Sequence, residues 1–191
     1  FRFRGPVPAR FLPGQYTMLS LDGVPCPRAY SMSNLANTEG VWEFWIRKKP
    51  GGRVTEPLFA RLEPGDQVGL DGPYGLAFLK ADTPRDVLCI AGGSGISPVL
   101  SIARGMLNNP TMAGRKLHFF FGGRTPADIC GLEELKALPG FAERVCFHAA
   151  ISEPKPEDGW EGAVGFIHDT VAEVLGGSLG NYECYLAGPP P

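Results

Sequence analysis

The sequence predicts a two-domain β + α/β protein, an antiparallel barrel or sandwich followed by a parallel-sheet α/β unit. Three observations carry this. Short β-type segments are punctuated by turn residues as far as about Leu79. A continuous apolar run, Val87-Leu88-Cys89-Ile90-Ala91, then has the character of a strand buried on both faces of a parallel sheet. From there strand-like and helix-like stretches alternate to the end.

In the first part, β-type segments are expected at Gln15 to Leu21, Ala29 to Ser33, Val41 to Lys48 and Asp66 to Leu70. Trp42, Phe44 and Ile46 alternate with Glu43, Trp45 and Arg47, which favours a strand with two unequal faces. Turns at Pro13-Gly14, Asp22-Gly23, Pro50-Gly51-Gly52, Pro64-Gly65-Asp66 and Gly72-Pro73 separate these runs. Thr55 is expected to cap a helical turn through Pro57, Leu58, Phe59 and Leu62.

The character changes near Thr83-Pro84-Arg85. After the Gly92-Gly93-Ser94-Gly95 loop, Ser97 reads as an N-cap with Pro98 at the first helical position, and Val99, Leu100, Ile102, Ala103, Met106 and Leu107 give the helical period. Lys116 to Phe121 is the next strand, at a normal βαβ spacing. Leu132 to Leu138 and Asp169 to Leu175 read as helices, Val145 to Ile151 and Tyr182 to Ala187 as strands.

Composition narrows the function. With 191 residues the chain can bury a real core as one domain or two. The 26 Gly and 19 Pro belong to turns, since 43% hydrophobic residues in repeated runs argue against disorder. A net charge of −2 from 18 basic and 20 acidic residues leaves no electrostatic footprint for nucleic acid or an anionic membrane. No apolar run is long enough to span a bilayer, and there is no signal-peptide pattern. Five scattered cysteines without a C-x-x-C point to a reduced, cytoplasmic setting and to neither a disulfide framework nor a protein-ligated metal. The start at Phe1 and the stop at Gly188-Pro189-Pro190-Pro191 suggest part of a longer polypeptide.

Four stretches carry candidate chemistry. In an extended strand Arg28 and Tyr30 project to one side and Ser31 to the other, offering a cation, a flat apolar face and a hydroxyl. An aromatic, phosphorylated cofactor such as a flavin needs all three. Gly92, Gly93, Ser94 and Gly95, between a buried strand and a helix, suit close approach of backbone amides to a ligand's phosphates, or form a bare βα turn; the stretch departs from G-x-G-x-x-G at Pro98. The loop Gly122 to Asp128 falls beside it, with Arg124 expected on phosphate or adenine and Asp128 near the ribose. Because no Lys or Arg occurs between Arg124 and Lys136, NADH is favoured over NADPH. Pro50-Gly51-Gly52-Arg53-Val54-Thr55 is either a phosphate cradle or a turn with a cap. His118, His148 and His168 lack ligand spacing, and nothing resembles a hydrolytic set.

In this order the stretches resemble the ferredoxin-NADP reductase superfamily, through Arg28-Ala29-Tyr30-Ser31, Gly52-Arg53-Val54-Thr55, Gly72-Pro73-Tyr74-Gly75, Gly92 to Pro98 and Gly188-Pro189-Pro190. Phe121 to Asp128, Ser152-Glu153-Pro154 and Trp160 with Gly162 look most like NADH-dependent reductase components of multicomponent bacterial oxygenases, including aromatic-ring dioxygenases. The resemblance implies a Greek-key β-barrel binding FAD over residues 1–82 and an α/β domain binding NADH over 83–191.

It further implies Arg28 on the flavin phosphates, Tyr30 against the isoalloxazine and Ser31 near N5, with Tyr30 and Ser31 taking part in catalysis. Ile46, Arg47, Lys48, Gly51, Gly52, Arg53, Val54 and Thr55 complete the flavin side. Gly92, Gly93, Ser94, Gly95, Arg124, Asp128, Gly188 and Pro189 face the nicotinamide nucleotide. Two departures stand out: Ala187 precedes Gly-Pro-Pro where many relatives have Cys, and the C-x4-C-x2-C run of a [2Fe-2S] domain is absent, so such a cluster is expected only in a domain outside this sequence.

The expected activity is passage of electrons from NADH through bound FAD to an iron-sulfur acceptor, with a ferredoxin or oxygenase component as partner and the chain monomeric. Alternatives are a stand-alone NAD(P)H:flavin reductase and an inactive flavoprotein-fold docking subunit.

Overall fold

The computed structural model describes residues 1–188; Pro189, which the resemblance places at the nicotinamide, lies outside the described residues. The chain up to Tyr74 forms two small antiparallel sheets. Strands β1 (Arg2–Arg4) and β4 (Val41–Glu43) pair with each other, and β3 (Arg28–Ser31), β2 (Tyr16–Ser20) and β5 (Gly69–Tyr74) form the second sheet in that spatial order. Thr17 faces Tyr30 and Leu19 faces Arg28 across the β2–β3 ladder. Ala9, Phe11, Met32 and Phe44 make a compact core, with Phe3, Tyr30, Trp42, Ile46 and Leu70 packed around it.

From Asp86 the fold is a parallel sheet in the order β10-β6-β7-β8-β9, formed by Tyr182–Ala187, Asp86–Gly92, Leu117–Gly123, Val145–Ile151 and Ala163–Val164. The apolar run of β6 is buried on both faces, as its composition requires. Val87, Cys89 and Ala91 turn toward helix α2 (Ile96–Leu107), together with Leu117, Phe119 and Phe121 of β7. Leu88 and Phe120 turn the other way, toward Val171 of helix α5 (Ile167–Leu175). Each fully buried Leu or Phe contributes roughly 1.5–3 kcal/mol of transfer free energy, so this sheet and α2 form the larger core.

The expected regular segments differ mainly at their ends. The strand read over Val41 to Lys48 stops at Glu43; Phe44 still exchanges both backbone hydrogen bonds with Phe1 at 2.9 Å, and Trp45 to Lys48 continue outside any strand. There the chain leaves the sheet to meet α2, where the Trp45 amide donates to the Ser97 hydroxyl. Ser97 is not the N-cap: a 3-10 turn over Gly93–Gly95 runs directly into Ile96, which starts α2. Pro98 still falls within the first turn, where its missing N–H leaves no intrahelical bond unmade. Nor does Thr55 cap helix α1 (Thr55–Arg61), because Val54 holds the N-cap position with no side-chain cap. Three short pieces, β9, helix α3 (Leu132–Lys136) and helix α4 (Phe141–Arg144), either escape sequence reading or end early. They are too short for their periodicity to register.

Candidate functional site

The tetrad Arg28 to Ser31 is strand β3 in full. Arg28 is exposed, while Tyr30 is half-buried against the β-half core. Burial pushes the Tyr30 phenol up and the neighbouring Arg28 guanidinium partly opposes this, which fits two side chains on one face of a strand. Neither the Arg28 guanidinium nor the Ser31 hydroxyl makes a hydrogen bond among the described residues. The Ser31 carbonyl, in contrast, accepts from the Ser97 hydroxyl at 2.7 Å.

The loop before α1 is tied by its own side chains. The Thr55 hydroxyl accepts from the Lys49 amide at 3.1 Å and donates to the Lys49 carbonyl at 3.2 Å. The Glu56 carboxylate takes the Gly51 amide at 2.8 Å, and the Gly52 amide donates to Lys49 at 2.9 Å. Among the described residues the consecutive amides at Arg53, Val54 and Thr55 make no hydrogen bond, and the Arg53 and Lys48 side chains beside them are exposed. The Val54 side chain is buried. Three open amides next to cations are a donor set that suits a phosphate, so the loop fits the phosphates of a flavin nucleotide through residues 53–55. The expected contributions of the Gly51 and Gly52 amides and of the Thr55 hydroxyl are not available, because all three are engaged within the loop.

Two cavities flank the Gly92 to Gly95 loop. One, of about 460 Å³, lies between the two halves: Phe44, Trp45, Ile46, Arg47 and Phe59 form one wall, and Gly93, Ser94, Ile96, Asp128 and Cys130 the other. The second, of about 470 Å³, opens at the carboxyl ends of β6, β7 and β10, among Gly92, Gly122, Gly123, Gly165, Phe166, Ile167 and Gly188. This is the end of an open parallel sheet where ligands bind. A Cβ on Gly92 would meet the Gly122 carbonyl oxygen at 3.5 Å and one on Gly188 the Gly92 backbone at the same distance. These strand ends therefore expose bare backbone, the surface a nicotinamide nucleotide needs for close approach.

Asp128, expected near the ribose, is engaged by protein groups. Its Oδ1 accepts from Arg47 Nη2 at 2.9 Å, while Oδ2 accepts from the Arg124 and Thr125 amides at 3.1 and 3.2 Å. Burial raises this carboxyl, but the two amides and the Arg47 guanidinium outweigh it and hold the group below its usual range. Asp128 thus organises its own loop and pairs with Arg47 of the β-half. Arg124 is exposed and lies 3.9 Å from Glu153.

The structure therefore gathers Ile46, Arg47, Gly93, Ser94 and Asp128 around the first cavity, and Gly92 and Gly188 at the second. Arg28, Tyr30, Ser31, Lys48, Gly51, Gly52, Arg53, Val54, Thr55, Gly95 and Arg124 line neither. Sequence reasoning did not single out Trp45, Cys130, Gly165, Phe166 or Ile167. The Gly165-Phe166 step before α5 was the available signal, a glycine ahead of a helix at a strand end.

An exposed arginine on β3, a loop that suits a phosphate and a glycine-lined sheet end are features that fit a flavin and a nicotinamide nucleotide. Comparisons with known proteins agree: the chain belongs to the oxidoreductase NAD-binding domain family, matched over residues 89–191, and residues 1–78 match the oxidoreductase FAD-binding domain. It is 39% identical to the ferredoxin–NAD(P)+ reductase CarAd of Metapseudomonas resinovorans, over all of this chain and 56% of that one. Identity is 36% with the reductase component of the naphthalene 1,2-dioxygenase system of Pseudomonas putida, over 99% of this chain and 56% of the relative. A solved ferredoxin reductase of carbazole 1,9a-dioxygenase superposes with a TM-score of 0.89 at 37% identity, covering 100% of this chain and 56% of that one. The chain thus spans about half the length of the curated relatives it matches.

Proposed function

We propose that this chain is the flavin- and nicotinamide-binding part of an NADH-dependent ferredoxin reductase serving a multicomponent oxygenase. The observation that carries the reading is the union of two features: the strand bearing Arg28, Tyr30 and Ser31 is hydrogen-bonded to the first turn of the helix that follows the glycine loop. Residues 1–82 then form the flavin domain and 83–191 the NAD(H) domain, with the Thr83-Pro84-Arg85 stretch as the join.

Bound FAD would supply the chemistry, accepting a hydride from NADH and releasing its electrons one at a time to an iron-sulfur acceptor. The protein's own residues mainly position. Arg28 would offset phosphate charge and the open amides of 53–55 would donate to the phosphate oxygens, Tyr30 would offer its ring face, and Ser31 would supply a hydroxyl to the flavin ring. Gly92, Gly93, Ser94 and Gly188 admit the nicotinamide nucleotide. Such a reaction needs reacting atoms about 3–3.5 Å apart more than it needs acids or bases. A ferredoxin or oxygenase component is the partner, and a [2Fe-2S] cluster belongs to a domain outside these residues. Among the described residues no helix is long and apolar enough to cross a membrane; the reading takes the chain to be a cytoplasmic monomer.

An anaerobic absorbance titration tests the reading. Purified protein should be yellow, bleached by NADH and scarcely by NADPH, and then oxidised by an added [2Fe-2S] ferredoxin. Colourless protein would sink retained flavin. Flavin that leaves on gel filtration yet is reduced when added back would mark a stand-alone flavin reductase. Tightly bound flavin that NADH cannot reduce would mark a docking subunit.

A further inference from the structure

Helix α2 presents a buried polar stripe to the β-half. Ser97, Ser101 and Arg104 recur at intervals of four and three residues, so they share one face of the helix. Each donates to a backbone carbonyl in the segment that begins at Ser31. The Ser97 hydroxyl donates to Ser31 at 2.7 Å, the Ser101 hydroxyl to Asn34 at 2.8 Å, and Arg104 Nη1 to Ser33 at 2.7 Å. Ser97 and Ser101 are 2% and 0% exposed. Serines this deeply buried in a helix are usually spent on the helix's own carbonyls. Here they are spent on the opposite half of the molecule.

Arg104 also pairs with Glu43 of β4 at 3.7 Å; Ser97 differs from the other two in its place beside the glycine loop. It lies two residues past Gly95, in the first turn after the glycine loop. Its hydroxyl donates to the Ser31 carbonyl and accepts from the Trp45 amide at 3.3 Å. Trp45, Gly93 and Ser94 in turn face one another across the cavity between the halves.

We infer that Ser97 is a positioning residue for hydride transfer: its hydroxyl fixes the separation between the glycine loop and the Ser31 strand end, and so the approach of nicotinamide to flavin. This inference rests on the function proposed above. Ser101 and Arg104, farther from the loop, hold the same interface without setting that separation. Since a misplacement of about 1 Å can cost about a hundredfold in rate, loss of one anchoring bond should slow flavin reduction by about tenfold.

The test is anaerobic stopped-flow reduction by NADH in the full-length protein, with flavin content and thermal stability measured alongside. Ser97→Ala should lower the limiting reduction rate about tenfold while the NADH concentration for half-maximal rate and the flavin content change little. Ser97→Thr, which keeps the hydroxyl, should restore the rate. Ser101→Ala should lose comparable stability and keep the rate. If Ser97→Ala and Ser101→Ala slow reduction equally, or neither does, the inference is overturned. Should Ser97→Ala not fold, Ser97→Thr and Ser97→Cys decide: a normal rate with Thr and a slow one with Cys supports it, and equal rates overturn it. Wild-type protein that binds no flavin, or whose flavin NADH does not bleach, would overturn the functional reading and this inference with it. A bleached wild type with an unaffected Ser97→Ala would remove this inference alone.

Discussion

The glycine-rich loops before α1 and α2 need glycine for different reasons. The loop at residues 50–53 closes on itself: Thr55 and Glu56 reach back to it, and a Cβ on Gly52 would strike the Thr55 hydroxyl and lie 2.8 Å from the Lys49 carbonyl oxygen. Among the described residues the loop at 92–95 makes no such side-chain bonds. It is held from outside, where a Cβ on Gly95 would collide with the backbone carbonyl of Ala187 on β10. One loop is a local turn with a few amides left over. The other is a joint between α2 and a distant strand, and its conformation is the property of the whole sheet.

The sharpest way to break that comparison is Gly95→Ala. Backbone cannot yield as a side-chain end can, so we expect a loss of about 3 kcal/mol or more, at the upper end of overpacking, read from denaturant unfolding. Gly52→Ala should cost less, about 1–2 kcal/mol, because Thr55 can rotate away and the one backbone atom in the way, the Lys49 carbonyl oxygen at 2.8 Å, belongs to a local turn and need shift only slightly, but it opens the phosphate loop. Flavin content should therefore fall more than stability does. If Gly52→Ala proved the more destabilising of the two, the contrast would be wrong.

Arg28→Ala should leave the melting temperature almost unchanged, the side chain being exposed. It should weaken flavin retention about tenfold, the scale of one charge-assisted hydrogen bond, measured by equilibrium dialysis. Tyr30→Ala should weaken flavin as well and, because the ring packs on the β-half core, lower stability too.

Acid offers a control remote from both loops. His118 on β7 and His148 on β8 are held below the usual imidazole range by burial, with Asp86 partly opposing this at His118. Their unfolded counterparts titrate near about 6.5. As pH falls below that value the unfolded chain binds protons that the folded one refuses, so stability present above about 6.5 is lost toward the folded pKa values. Melting temperature should drop between neutral and mildly acid pH. His148→Gln should flatten the profile.

The smallest effect is expected from Arg47→Ala. The pair with Asp128 crosses between the halves, but Arg47 is 63% exposed, and exposed pairs contribute under about 1 kcal/mol. Stability at low and high salt should barely distinguish the variant from wild type.

Much of this was legible in the sequence because it is local. Val87 to Ala91 had to be a strand buried on both faces, and the helical period from Val99 to Leu107 had to be a helix packed on it. The glycines between them had to be a turn. The tetrad's alternation gave the strand β3 and the shared face of Arg28 and Tyr30. Hydroxyls and carboxylates were harder to read. Thr55 and Ser97 both scored as N-caps from their neighbours, yet one closes a loop onto Lys49 and the other bridges to Ser31 and Trp45. Asp128, expected near the ribose, pairs with Arg47, eighty-one positions away in sequence.

The physical reason is the range of the forces. Apolar periodicity and backbone strain act within a turn or a strand, so the order of elements is written along the chain. A hydroxyl or carboxylate, however, takes whichever buried donor or acceptor folding brings near, because an unpaired one is costly. Sequence alone therefore determined two halves and their candidate cofactor stretches. Only the tertiary structure decided that Ser97 joins the Ser31 strand to the glycine loop.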